Sequence, residues 1–321
     1  MKQARLALRA GRVNSCVDTR KARAHSEELA LEKPVITQDM INAYDEYTHL
    51  SLDRRSFMQK LTALTGSAAS AAAIAPLLAA NSAQAEIVPE SDARVKGEDI
   101  AYTSAGGDMK GYMVRPAEAA GKLPAVIVIH ENRGLNPHIR DVARRVALEG
   151  FVALAPDFLS PAGGTPANED EARQMISGLD AKLTVDNAVS TVEFLKTADG
   201  STGNVGAIGF CWGGGMVNKL AVASPDLKAG VAYYGAQPPV EDVPKIKAAL
   251  MLQYAGLDDR INAGIDAYKK ALTDAGKDFT INVYEGVNHA FNNDTSAARY
   301  DKKAADLAWS RTVEFLKAKL A

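Results

Sequence analysis

A short run of buried-type residues, Val205 to Gly209, leads without a break into Gly209-Phe210-Cys211-Trp212-Gly213-Gly214-Gly215. This G-x-nucleophile-x-G pattern, with cysteine where lipases carry serine, needs a strand before it and a helix after it. Flanking glycines let the backbone approach itself in a strained turn that lifts the side chain to the carboxyl end of a sheet. The following helix then aims its positive end at the sulfur, where a thiolate is favoured. A structural cysteine does not require so many glycines at a strand-to-helix junction, so Cys211 is the candidate nucleophile.

The chain around the turn supports that setting. From Glu86 onward, β-branched runs alternate with amphipathic stretches at βαβ spacing. That pattern predicts an α/β fold with a mostly parallel central sheet and helices on both faces, and the nucleophile turn within it is that of the α/β-hydrolase type. Strands are expected at 111–115, 125–130, 151–155, 205–209, 230–234, 249–255 and 280–284. Helices are expected at 141–149, 180–197, from about 213, at 263–275 and at 304–321.

In this fold the acid and then the histidine follow the nucleophile along the chain. The strand 249–255 ends in Gly256-Leu257-Asp258-Asp259-Arg260, and the strand 280–284 is followed by Gly286-Val287-Asn288-His289. His289 is the only histidine after Cys211, and a neutral imidazole there takes and returns a proton near neutral pH. Asp258 and Asp259 both stand where the acid belongs, and the residues by themselves barely choose between them.

Composition removes other classes. A formal net charge of −2 over 321 residues gives no basic field for nucleic acid or an anionic membrane surface. Cys16 and Cys211 offer no disulfide framework, and the scattered histidines His25, His49, His130, His138 and His289 lack zinc-site spacing, so neither metal nor cofactor is expected. A redox role for Cys211 lacks a nearby resolving cysteine. The expected partner is a small molecule, with a monomer favoured.

The first 85 residues read differently. Arg54-Arg55-Ser56-Phe57-Met58 precedes a mildly apolar, Ala-rich run that ends in Ala83-Gln84-Ala85. This is the build of a twin-arginine signal, with residues 1–50 as an extension, 51–85 as the signal, and 86–321 as the hydrolase domain. It implies passage through the twin-arginine export machinery, cleavage after Ala85 and a periplasmic enzyme. Threonine, serine, glycine and proline inside the run argue against a membrane-spanning helix. The stretch Thr37 to Tyr47 is left open as an extra helix.

With these residues in place, the chain resembles the dienelactone hydrolase (carboxymethylenebutenolidase) family from about Gly97 to Leu320. The resemblance implies Cys211 as nucleophile, His289 as base and Asp258 as its orienter. It further implies that Glu131, in His130-Glu131-Asn132-Arg133-Gly134, holds the thiol protonated at rest and accepts its proton when substrate binds. The backbone N–H groups of Trp212 and Asn132 would form the oxyanion hole. The reaction expected is ester or lactone cleavage through a thioester. A thioesterase, another acyl hydrolase, or a non-catalytic binding module of the same fold are the alternatives. One departure is specific: the arginines that hold the substrate carboxylate in the family have no counterpart in 156–164 or 289–294, which leaves Arg133 or Arg260 as replacements.

Overall fold

Eight strands form one sheet in the order β1-β2-β4-β3-β5-β6-β7-β8. They are β1 Val95–Ser104, β2 Gly107–Pro116, β3 Leu123–Ile129, β4 Val152–Asp157, β5 Ser201–Phe210, β6 Leu227–Tyr233, β7 Ala249–Ala255 and β8 Phe279–Tyr284. The computed structural model describes residues 35–79 and 86–321, so most of the N-terminal extension and the expected cleavage site at Ala85 lie outside the described residues. Strands β3 to β8 run parallel, while β2 is antiparallel to both β1 and β4. A parallel sheet is covered on both faces, and this is why Ala125 to Ile129 read as an unbroken apolar run and are fully buried.

The predicted helices are α4 Pro137–Leu148, α6 Ala181–Thr197, α7 Trp212–Ala223, α9 Ile265–Asp274 and α10 Lys302–Leu320. Val142 and Val146 of α4 and Leu316 of α10 bury one face of the sheet. Val192 of α6, Leu220 of α7 and Leu272 of α9 bury the other. Local chemistry sets the boundaries: Asn136 caps α4, where Pro137 takes the first turn, and Asp180 accepts the Leu183 amide to start α6.

Three elements extend the expected set. Strand β1 pairs along its whole length with β2, and its mostly exposed residues carry little apolar period. Helix α5, Glu169–Ser177, begins at the Asn168 cap with three acidic residues in its first turn. Helix α8, Asp259–Asn262, is a single turn capped by Asp258.

A further group of helices lies upstream. The open stretch at Thr37 to Tyr47 is helix α1, Gln38–Thr48, and the arginine-led run divides into α2 Arg54–Thr65 and α3 Ala68–Leu78. Gly66, at φ 78°, ends α2, and the two helices bend by 112° at the break. Among the described residues no single helix is long and apolar enough to cross a membrane. Residues Thr37–Ala321 form one compact unit. Within it Phe57 packs against Tyr44 and Tyr47, Tyr47 donates its hydroxyl to Asp170 at 2.6 Å, and Arg54 pairs with Asp170 at 3.0 Å.

The connections place a crevice. After β3 the chain passes to β4 on one side, then returns to β5 on the other, so the carboxyl ends of β3 and β5 flank a topological switch point. Ligands enter open α/β sheets at such points. Glu131 and Asn132 follow β3 there, and Cys211 follows β5.

Candidate active site

Cys211 sits between β5 and α7 at φ 55°, ψ −115°, a left-handed conformation that costs a non-glycine residue energy. The glycines make that turn possible. A Cβ on Gly209 would stand 2.1 Å from the Gly213 carbonyl oxygen, and one on Gly213 would stand 2.5 Å from the His130 oxygen. The Cys211 amide is tied to the Tyr233 carbonyl at 3.0 Å, which fixes the turn to β6.

His289 follows β8 on the loop Gly286 to Ala290. Its Nδ1 stands 2.5 Å from Asp258 Oδ2 while the other oxygen of Asp258 accepts the Ile261 amide, so one carboxylate caps α8 and orients the imidazole. It is Asp258, not Asp259, that reaches the ring; Asp259 is the first residue of α8. The Nε2 of His289 is buried without a hydrogen-bond partner. Sγ of Cys211 and one ring nitrogen of each of His49 and His289 lie within 4.8 Å of one another.

The site's electrostatics follow from burial and opposed charges. Burial pushes the Cys211 thiol up, yet the charges of His289 and His49 outweigh it and bring the thiol down to about 6. Burial would lower His289, but Cys211, Asp45 and Asp258 raise it well above its ordinary value. Glu131 is also held ionised against burial, by the charges of Arg133, His138, Arg299 and His289. Its Oε2 accepts from Asn293 Nδ2 at 2.7 Å, and no hydrogen bond joins it to Cys211 among the described residues. Arg133 turns elsewhere, to the Tyr44 hydroxyl and to Glu169.

A cavity of about 260 Å³ opens beside the sulfur, lined by Asn132, Trp212, Tyr234 and Ile261 among others. Of the aromatics near the expected site, Trp212 and Tyr234 line it, whereas Phe158 and Phe291 are buried in the core. Arg260 also lines the cavity, as do Arg173 of α5 and Lys219 of α7, so cationic groups surround the space although the family's two arginine positions are empty of them. Arg133 does not line it.

Sequence reasoning passed over one residue. His49 Nε2 stands 3.3 Å from Cys211 Sγ, and its ring meets His289 edge to face at 4.8 Å. The signal was present as the end of a helix carrying Tyr44, Asp45, Tyr47 and His49. It was masked by the arginine pair a few residues on.

This arrangement, a nucleophile turn on a mostly parallel eight-stranded sheet with an Asp–His pair beyond it, defines an α/β-hydrolase fold. The Dienelactone hydrolase family model matches residues 109–320. A carboxymethylenebutenolidase homologue of Escherichia coli O157:H7 is 32% identical over 254 residues, covering 74% of this chain and 93% of that one. A hydrolase fragment from Escherichia coli K12 is 50% identical over 112 residues, 34% of this chain and 96% of that one. Among solved structures, a dienelactone hydrolase homologue from Klebsiella pneumoniae aligns at TM-score 0.63 and 28% identity, over 70% of this chain and 98% of that one. The chain belongs to the dienelactone hydrolase family and is a hydrolase.

Proposed function

We propose that this hydrolase cleaves a small carboxylic ester or lactone with Cys211 as nucleophile, His289 as acid and base, and Asp258 as the group that orients His289. The observation that carries this reading is the buried Asp258–His289 pair close to the sulfur, with Nε2 left free. Apo active sites commonly hold such contacts long and tighten them on substrate.

Cys211 attacks as the thiolate, its proton held on His289, and an S–C bond forms at the carbonyl carbon. The oxyanion is received by the Trp212 and Asn132 amides, which border the cavity and donate to no protein acceptor among the described residues. Collapse breaks the C–O bond, and the leaving oxygen takes the proton from His289. A lactone's leaving hydroxyl stays tethered to the acyl group. Water then gives a proton to His289 and attacks the thioester, the acid leaves, and the thiolate is regenerated. A cavity of about 260 Å³ suits a compact acyl group. Arg173, Lys219 and Arg260 favour one that carries an anion.

The test is hydrolysis of p-nitrophenyl acetate, an enol-lactone and an acyl thioester by the full chain beside Cys211→Ala. Loss of all turnover in the variant, with an acyl adduct trapped on the Cys211 peptide of the parent, is expected. Equal rates in the two proteins would remove the cysteine mechanism.

A further inference from the structure

The stretch Gln38 to Leu50 precedes the part matched to the family, which begins at residue 109, yet it reaches the sulfur. We propose that His49 is a second catalytic imidazole of this site, a donor to the Cys211 thiolate held in place by Asp45, and that the segment bearing it is a retained wall of the active site. The proposal rests on Cys211 being the nucleophile.

Three independent features carry it. First, His49 repeats the logic of the His289–Asp258 pair. Its Nδ1 is tied to the Asp45 carbonyl at 2.8 Å and stands 3.3 Å from the Asp45 carboxylate, which turns Nε2 to Sγ at 3.3 Å. Second, Thr48, His49 and Leu50 form part of the cavity's lining and leave it open beside the sulfur, so the segment walls the site and does not plug it. The Asn132 side chain fastens that wall by donating to the Thr48 carbonyl at 2.7 Å. Third, the four non-glycine residues with positive φ among those described are Leu50, Cys211, Tyr234 and Ala290. Three line the cavity and the fourth adjoins His289. Backbone strain collects at functional sites, and here it includes the upstream segment.

The charged groups facing His49 are Asp45 on its own helix, Cys211, His289 and Arg260, with Arg299 beyond Asp45 at 4.0 Å. Burial would lower the ring; the Cys211 thiolate and the Asp45 and Cys211 hydrogen bonds bring it up to about 9. Arg260 Nη2 stands 3.0 Å from the same Nε2 and opposes a proton there. Arg260 is half-exposed and has Asp45 as its other partner at 3.7 Å, so a protonated Nε2 takes Sγ as acceptor and leaves Arg260 to that carboxylate. His49 keeps its proton through the cycle: no bond to it breaks, and its N–H stabilises sulfur as nucleophile in acylation and as leaving group when the thioester opens.

The experiment follows iodoacetamide alkylation of the Cys211 peptide against pH, by mass spectrometry, in the full chain, His49→Gln and Asp45→Asn. Reading that peptide separates it from Cys16. His49→Gln is expected to move the alkylation midpoint to higher pH and to lower kcat/KM by about ten- to hundredfold, the worth of one charge-assisted hydrogen bond; Asp45→Asn moves both the same way by less. Superimposable alkylation profiles would overturn the proposal, as would isolation of an active protein that begins at Glu86. The alkylation readout needs no substrate, so it tests the action of His49 on the thiol even where equal rates in the parent and Cys211→Ala have removed the cysteine mechanism. Should His49→Gln not fold, Asp45→Asn decides by the same profile.

Discussion

Asp258 reaches His289 Nδ1 with one carboxylate oxygen and the Ile261 amide with the other, so a single side chain both starts helix α8 and sets the tautomer of the imidazole. The two tasks can be separated by substitution. Asp258→Asn keeps a capping oxygen but no longer holds the ring as an ion partner; loss of the orienting carboxylate in such triads costs about 10⁴ in kcat, so a drop of that order is expected with folding intact. Asp259→Asn leaves turnover within a few-fold. Steady-state kinetics with circular dichroism on both variants checks this, and equal losses at the two positions would put the acid elsewhere.

The turn at Cys211 predicts a different kind of failure. A methyl group on Gly209 falls 2.1 Å from a carbonyl oxygen of the same turn, and backbone cannot yield as a flexible side chain does. Gly209→Ala is expected to cost about 2–4 kcal/mol, at or beyond the upper end of overpacking penalties. Gly150→Ala, where nothing lies within 4 Å but φ is 96°, costs about 1 kcal/mol from strain. Denaturant unfolding of the two variants ranks them.

What the sequence made legible follows the same physics. Periodicity exposed the buried strands β3 and β7 because both their faces are covered, and the glycine cluster exposed Cys211 because so few other conformations need it. Strand β1 was invisible because its residues are largely solvated and its pairing with β2 is a backbone affair. The choice between Asp258 and Asp259 turns on which carboxylate the single helical turn α8 points inward, and no pattern of two adjacent acids encodes that. His49 escaped for a further reason. It lies 162 residues from the sulfur it approaches, in the extension just ahead of the paired arginines and Ala-rich run from which an export signal was expected. Only tertiary contact brings it to the thiol, and that contact leaves no mark in composition.

The lowered thiol gives activity a definite sign with pH. A group depressed to about 6 is protonated and inert below that value and nucleophilic above it. Alkylation of Cys211, and kcat/KM with a non-ionising ester, should therefore rise through about pH 6 and be flat by pH 7.5. An unperturbed thiol would instead keep rising past pH 8. The pH profile of alkylation rate distinguishes the two directly.

The same three groups carry a liability that can be measured. Sγ of Cys211 and a ring nitrogen from each of His49 and His289 lie within 4.8 Å of one another, one thiolate and two imidazoles of the kind that bind zinc in a tetrahedral site. Bound there, the ion would occupy the nucleophile's lone pair and the base together. Micromolar Zn²⁺ is expected to inhibit hydrolysis, with activity restored by a chelator. Removing one donor of three weakens the site, so His49→Gln should raise the inhibitory concentration at least about tenfold relative to its own uninhibited rate. Titration of both proteins with Zn²⁺ at pH 7, where the thiol is largely ionised, reads this out. Equal inhibitory concentrations would mean that the ion binds without His49, and that the imidazole does not share the sulfur's face in solution.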